Sequence, residues 1–178
     1  MIRRPLRALL DRVDRLYRRL RRLQPVGEAL YVGRARHRGP ALTLPDGTRV
    51  EPGAPIAELH FNNQHFAALA AAGGDPGRRF AAAFLASLEA LAGACREGGP
   101  FAEVVAFHAL SWLPPHGRRI GFLARPAAAG PAMLWRRLWF ALLVWTYVPD
   151  SRRRPGGRPS EYWLGRRALL ARFGGRGP

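Results

Sequence analysis

The sequence predicts an α+β fold in which a mainly antiparallel sheet packs with an N-terminal amphipathic helix, a central helix and a Trp-rich helix. The order of the segments supports this class, and the length of the chain supports a single domain. Segments with helical spacing of apolar residues and segments with alternating apolar residues come in blocks, whereas a doubly wound fold would alternate them strictly. The length of 178 residues is that of one domain with one core. We therefore expect a single domain over residues 1–173 and a flexible tail over residues 174–178.

The N-terminal helix is predicted over residues 5 to 23. Pro5 suits its first turn, and Pro25 marks a point where the helix has ended. Arginines fill most positions between the apolar residues, which recur at helical spacing: Leu6, Leu9, Leu10, Val13, Leu16, Tyr17, Leu20 and Leu23. Two interpretations fit this pattern. The stripe packs on the core of the domain with the arginines in solvent, or the helix lies in a membrane interface.

The next segments predict strands and a central helix. Residues 29 to 37, 41 to 44 and 56 to 61 have strand patterns, and Pro45-Asp46-Gly47-Thr48 forms a turn because proline presets φ and glycine accepts positive φ. Asp75 and Pro76 supply the cap and first turn of a helix from about 77 to 97. Its inner face is the apolar stripe Phe80, Phe84, Leu88, Leu91 and Cys95.

The C-terminal third predicts a hairpin followed by a buried helix. Residues 102 to 112 and 119 to 124 read as two strands of a hairpin with a long tip. Residues 131 to 148 are apolar nearly all round and carry Trp135, Trp139 and Trp145, which is typical of a buried helix. A short segment around residues 162 to 164 and a last helical turn or two complete the chain.

The charge of the chain indicates an anionic partner. All 29 basic residues are arginine, against 12 acidic residues, so the net charge is +17. Codon usage explains part of the absence of lysine, but not the surplus of positive charge. Arginine binds phosphate through its planar fork of donors, so we expect an anionic lipid or another phosphate-bearing ligand. Nucleic acid is a less favoured partner, since no RNP-type motif is present. The candidate ligand-binding arginines are Arg18, Arg19, Arg22, Arg136 and Arg137.

Other sequence signals bound the location and the chemistry. The single cysteine, Cys95, excludes an intramolecular disulfide and fits a reducing compartment. The longest charge-free apolar stretch, residues 138 to 148, is shorter than the roughly 20 residues of a membrane-spanning helix. We therefore expect a cytoplasmic protein, either free or peripheral on the inner membrane face. Walker-type, Cys-x-x-Cys and His-Glu-x-x-His motifs are absent, so no metal or cofactor is expected.

The most unusual local chemistry lies in residues 58 to 65. Strand alternation puts Glu58, His60 and Asn62 on one face, where they could bind a ligand or act as an acid–base pair. Asn63 and His65 are further candidate ligand-binding residues. His108 is a fourth catalytic candidate, and it approaches His60 if the strands at 56 to 61 and 102 to 112 pair. Structural roles remain open: either asparagine suits a helix N-cap, Glu58 and His60 suit a solvated sheet face, and His108 suits a core.

The order of these segments resembles the bacterial YkoP-like domain family. The resemblance covers almost the whole chain and includes the basic amphipathic helix, the aromatic helix ending near Tyr147-Val148-Pro149, and the segments Gln24–Gly27, Leu42–Thr48, Gly53, Ile56–Asn63, Ala106–Ser111, Ile120–Phe122 and Trp163. Members of this family occur alone or fused to polysaccharide deacetylase domains, which implies a link to envelope carbohydrate and an envelope-polysaccharide enzyme as a partner. The chain has no His-x-x-x-His metal pair, so deacetylase activity is not implied for it.

Three functions are consistent with the sequence. The favoured hypothesis is a non-catalytic accessory domain that binds an anionic, phosphate-bearing lipid or lipid-linked saccharide at the membrane surface through the first helix. The second is a hydrolase or transferase acting on envelope sugars, with His60 as acid or base and Glu58 or Asn62 positioning the substrate. The third is a nucleic-acid-binding protein.

Overall fold

The predicted α+β class is confirmed by a computed structural model, which describes residues 3–111, 119–127, 142 and 159–175. Within these ranges, four helices accompany a six-stranded, mainly antiparallel sheet and a two-stranded ribbon. The helices are α1 (Arg3–Leu20), α2 (Asn63–Ala71), α3 (Pro76–Ala94) and α4 (Arg166–Phe173). The strands are β1 (Gln24–Val26), β2 (Leu30–Arg36), β3 (Leu42–Thr43), β4 (Arg49–Val50), β5 (Pro55–Phe61), β6 (Ala106–Ser111), β7 (Leu123–Pro126) and β8 (Ser160–Gly165).

The large sheet has the strand order β1-β2-β5-β6-β8-β7. Its β5–β6 pair is parallel, and the other pairs are antiparallel. A parallel pair needs a long crossover, and α2 and α3 provide it between β5 and β6. In this register Glu58 lies opposite His108, so the pairing on which the approach of His60 and His108 depends is present.

The predicted hairpin at residues 102 to 124 is wrong. β6 pairs along all six of its residues with β8, and β7 pairs with the other edge of β8, so a strand from the C-terminal end of the chain separates them. The first predicted strand begins only at Ala106, because residues 101 to 103 form a turn. The helix predicted at 131 to 148 lies outside the described residues apart from Leu142, which is helical, and so do Arg136 and Arg137.

One face of the sheet carries the main core, which packs against α3 and α4. The predicted inner stripe of α3 is confirmed, since Leu88, Leu91 and Cys95 are fully buried and Phe84 packs against them. The helix begins as expected, with the Asp75 carboxylate accepting a hydrogen bond from the backbone N–H of Arg78 at 3.1 Å. These local signals fix the position of α3, and with it the covered face of the sheet.

Two separate elements cover the opposite face of the sheet. The β3–β4 ribbon packs Leu42, Leu44 and Val50 against Ile56 and Trp163 at one end. At the other end α1 lies across β2 and β5 and meets α2, where Leu10 packs with Ala67. Within the described part of the chain, no helix has both the length and the apolarity needed to cross a membrane. The contacts between α1 and the sheet determine which face of α1 is buried and which face is exposed to solvent.

Candidate functional site

Four aliphatic side chains form an exposed line along α1, which we call the apolar ridge. Leu9, Val13, Leu16 and Leu20 recur every three or four residues and are 56%, 39%, 58% and 74% exposed. Of the predicted leucine stripe, Leu10 is buried, at 2% exposure. The interpretation that the whole stripe packs on the core is therefore wrong, and α1 presents a continuous apolar surface to solvent.

A groove lined by arginine runs beside the apolar ridge, and we call it the arginine groove. It has a volume of about 600 Å³ and lies between the C-terminal half of α1 and Tyr31 of β2. Its lining comprises Arg12, Arg15, Arg18, Arg19, Arg22, Leu16, Leu23 and Tyr31. The structure thus brings together the three predicted arginines of this helix, Arg18, Arg19 and Arg22.

Sequence reasoning missed Arg12 and Arg15 as members of this group. A usable signal was present, because Arg12, Arg15, Arg19 and Arg22 are spaced by three, four and three residues, which places them on one face of a helix. Treating the arginines as adjacent doublets conceals this spacing. The groove is therefore formed by residues that share one face of the helix, whether or not they are adjacent in sequence.

Arg18 is the most firmly held guanidinium of the groove. Its Nε atom lies 3.0 Å from the Asp14 carboxylate, and its guanidinium carbon lies 4.3 Å from the centre of the Tyr31 ring. Burial raises the pKa of the Asp14 carboxyl above its ordinary value, although the Arg18 charge acts to lower it. A planar guanidinium held by a carboxylate and an aromatic face is pre-organised to donate its remaining N–H groups.

The other four arginines of the groove have no carboxylate partner within ion-pair distance in the described part of the structure. Arg21 differs from them, because it pairs with Glu58 on the inner side of α1. Like charges crowded around one groove raise the local positive potential, and an anion in the groove would relieve their repulsion. The arrangement is therefore suited to an anionic ligand.

The groove ends where α1 ends, at a residue in left-handed conformation. Arg22 has φ of +50°, while the Leu23 N–H donates to the Arg18 carbonyl at 2.9 Å. This helix-terminating geometry usually uses glycine, and an L-residue there is strained by about 1–2 kcal/mol. The chain next brings Leu23 against Gly33, where a Cβ atom would meet Leu23 Cδ2. The absence of a side chain at Gly33 leaves room for the Leu23 side chain beside the groove.

A polar cluster lies beneath α1, on the sheet. Glu58 accepts a hydrogen bond from Arg21 at 3.0 Å, and His60 Nε2 lies 3.7 Å from the same carboxylate. The Tyr17 ring meets the His60 ring edge-on, with centroids 5.6 Å apart. His60 and Arg21 hold the pKa of Glu58 below its ordinary value, against the opposing effect of burial. Glu58 and His60 line a sheet face that α1 covers only in part, and their side chains remain 29% and 30% exposed.

His108 belongs to the packed side of this cluster. Its ring lies 4.4 Å from the Trp163 ring between centroids, at an angle of 33°, and His37 meets Trp163 at 5.2 Å from another direction. The Trp163 side chain is buried. Aromatic packing of this kind fixes the orientation of the imidazole. His108 is therefore held rigidly next to Glu58.

The asparagine segment serves the fold. The Asn62 side chain accepts from the His65 N–H at 3.2 Å and donates to the Glu28 carbonyl at 3.0 Å, so both of its ends are used. It is the N-cap of α2, as one of the alternatives predicts, and Asn63 is the first residue of that helix. His65 Nε2 lies 3.7 Å from the Glu28 carboxylate. These contacts connect the β1–β2 turn to α2. The hydrogen bonds of the Asn62 side chain are made with Glu28 and His65, and none of them is made with His60.

Two cavities of the described chain leave out both His60 and His108. His60 and His108 line neither the arginine groove nor a second cavity of about 280 Å³ beside Asp46 and Arg172. Within the described residues, no three His, Cys, Asp or Glu side chains come together as ligands for a metal ion.

Comparison with known proteins identifies the family. The model of the YkoP domain matches residues 3–173, which span every helix and strand described above. The chain belongs to the YkoP domain family. No curated protein and no solved structure matches this YkoP domain. The family match agrees with the resemblance seen in the sequence and assigns no ligand to the domain.

Proposed function

We propose that this YkoP domain is a non-catalytic accessory domain that binds anionic membrane surfaces through α1, on the cytoplasmic face. The observation that supports the proposal is the apolar ridge lying directly beside the arginine groove. Helices of this kind lie in the membrane plane, with the apolar residues at the acyl boundary and the basic residues at the phosphates. The exposed leucines, which are costly in water, become stabilising when the lipid covers them.

The positions of the arginines around α1 fit this binding mode. Arg12 lies four residues before Leu16, and Arg19 lies three residues after it. At this helical spacing both arginines lie next to the ridge. A basic side chain near an anionic membrane surface contributes roughly 1 kcal/mol. Long arginine side chains can bury their stems against the apolar boundary while the guanidinium reaches the phosphates.

A nucleic acid could bind the same arginines through its phosphates, but it would not cover the apolar ridge. Binding to phosphate backbones uses basic side chains and, on single strands, aromatic platforms for the bases. Four exposed aliphatic side chains in a line have no partner on such a ligand. A lipid surface accounts for both features, whereas a nucleic acid accounts for one of them.

The enzyme alternative has less support. Glu58, His60 and His108 do lie close together, but Tyr17 and Arg21 of α1 cover Glu58 and His60, and His108 packs against Trp163. A general acid or base must come within hydrogen-bond reach of its substrate. The Glu58 and His60 side chains keep 29% and 30% exposure, but they line neither the arginine groove nor the cavity beside Asp46. This geometry favours binding over catalysis.

Vesicle co-sedimentation tests the proposal. We expect the domain to sediment with phosphatidylglycerol-containing vesicles at physiological salt and to stay in solution with pure phosphatidylcholine. Replacing Leu16→Gln and Leu20→Gln removes two ridge residues while keeping helix propensity. From their exposures of 58% and 74%, burial of the two contributes at least about 2 kcal/mol, so affinity should fall roughly thirtyfold or more.

Leu85→Gln is the matched control, because Leu85 is an exposed leucine of α3, at 39%, away from the ridge. This variant should bind vesicles as the native domain does. Equal sedimentation with anionic and neutral vesicles would contradict the proposal. Salt-sensitive binding to RNA or DNA that is unaffected by the double ridge substitution would favour the nucleic-acid alternative.

A further inference from the structure

The arginine groove has more cationic donors than a single lipid phosphodiester can use. We propose that it selects a lipid headgroup with a multiply charged phosphate, a phosphomonoester or a diphosphate, over a phosphodiester of the same membrane. This inference rests on the proposed function and names the headgroup class that the same surface takes. It is supported by the charge, the size and the position of the groove.

The charge of the groove exceeds that of a phosphodiester. Five guanidinium groups line it, and one of them, Arg18, pairs with the Asp14 carboxylate. A phosphodiester carries one negative charge and two non-bridging oxygens, which a single bidentate guanidinium can satisfy. A phosphomonoester carries about −1.5 to −2 charges and three strong acceptor oxygens. The more highly charged group offers these arginines more charge and more acceptor oxygens to share.

The size and rigidity of the groove point the same way. A volume of about 600 Å³ is much larger than one phosphate group needs and lies within the usual range for small-molecule sites. Its inner wall is firm, because Asp14 and the Tyr31 ring hold Arg18. A fixed donor at the wall with further arginines at the rim suits a highly charged headgroup, since less side-chain freedom is lost on binding.

The position of the groove commits the ligand to a membrane. Leu16 belongs both to the apolar ridge and to the lining of the groove. When the ridge lies at the acyl boundary, the groove therefore opens at the level of the headgroups. A free phosphate compound would satisfy the arginines but would leave Leu9 and Leu20 in water. The lipid-borne form of the ligand uses both surfaces together.

Vesicles matched in surface charge test this selectivity. Phosphatidic acid carries a phosphomonoester and phosphatidylglycerol a phosphodiester, and their mole fractions are adjusted until the two vesicle types have the same zeta potential. One additional charge-assisted contact predicts at least about tenfold tighter binding to phosphatidic acid. Equal affinity for the two vesicle types would overturn the inference and leave the proposed function standing. Binding to neither type would overturn the proposed function itself.

Arginine variants and a soluble competitor complete the test. Arg15→Gln with Arg22→Gln should abolish the preference for phosphatidic acid while leaving weak binding to both vesicle types. Arg38→Gln with Arg78→Gln removes the same charge from exposed positions outside the groove and should retain the preference. If both double variants keep the preference, the groove is not its source. If inorganic diphosphate binds the domain without vesicles as tightly as phosphatidic acid vesicles do, the assignment to a lipid is wrong.

Discussion

Replacing Arg22 with glycine should make the domain more stable and at the same time weaken its binding to anionic membranes. Arg22 is a left-handed residue at the end of α1, with φ of +50°, and its side chain lines the arginine groove. Glycine adopts this conformation without steric cost. The native arginine therefore sits at a position where stability alone would favour glycine.

The size of each effect follows from the structure. Relief of left-handed strain contributes about 1–2 kcal/mol, and the greater freedom of glycine in the unfolded chain offsets about 0.5–1 kcal/mol. The net gain of about 0.5–1 kcal/mol corresponds to a rise in Tm of about 1–4 °C for a domain of this size. Loss of one basic side chain near the membrane surface costs about 1 kcal/mol, or roughly fivefold in vesicle affinity.

Thermal unfolding followed by circular dichroism, together with vesicle binding, measures both effects. Arg22→Ala is the matched control, since alanine loses the charge but keeps the left-handed strain. It should bind as weakly as Arg22→Gly without gaining stability. A lower Tm for Arg22→Gly would show that the arginine side chain stabilises the helix end. Native vesicle affinity in both variants would show that Arg22 makes no contact with the membrane.

Three further predictions concern single residues. Cys95 should resist alkylation at pH 8 until the domain unfolds, because burial raises the pKa of its thiol to about 11; rapid modification of the folded protein would contradict the buried position. Asp46→Ala should lower the free energy of unfolding by about 1–2 kcal/mol, since its carboxylate accepts from the Ala168 N–H at 3.0 Å and caps α4, which has no side-chain cap of its own; unchanged urea unfolding would exclude this role. His60 and Arg21 lower the pKa of Glu58, so its carboxylate contributes stability above the ordinary carboxyl pKa, and this contribution is lost as the pH falls through the lowered value. Glu58→Gln should therefore reduce the loss of stability on acidification, and identical pH profiles would refute this linkage.

Local signals in the sequence predicted the fold best. The start of α3 depends on Asp75 and Pro76, which act within one helical turn, and its buried stripe follows from helical spacing alone. The hairpin prediction failed because strand pairing is non-local. Nothing between residues 102 and 124 indicates that β8, about forty residues further along the chain, inserts between the two predicted strands. The register that places Glu58 opposite His108 also required the structure.

The candidate site was predicted in composition but not in orientation. The periodicity of α1 defines an apolar stripe, but it does not say which side of that stripe meets the protein. The sheet offers polar groups to α1, so Arg21 turns inward to Glu58 and the apolar ridge remains outside. The sequence allowed two roles for Asn62, because asparagine is suited both to ligand binding and to the N-cap position of a helix. The two hydrogen bonds of its side chain show that Asn62 is the N-cap of α2.

The membrane depth of the apolar ridge tests the central claim most directly. A nitroxide label on Leu16→Cys reports depth cleanly, because the native Cys95 is buried, and the same label on Leu85→Cys provides the control. On vesicles that contain phosphatidylglycerol, the label at position 16 should become accessible to oxygen and protected from a water-soluble nickel chelate, while the label at position 85 stays accessible to the chelate. Equal nickel accessibility at both positions on vesicle-bound protein would contradict insertion of the ridge.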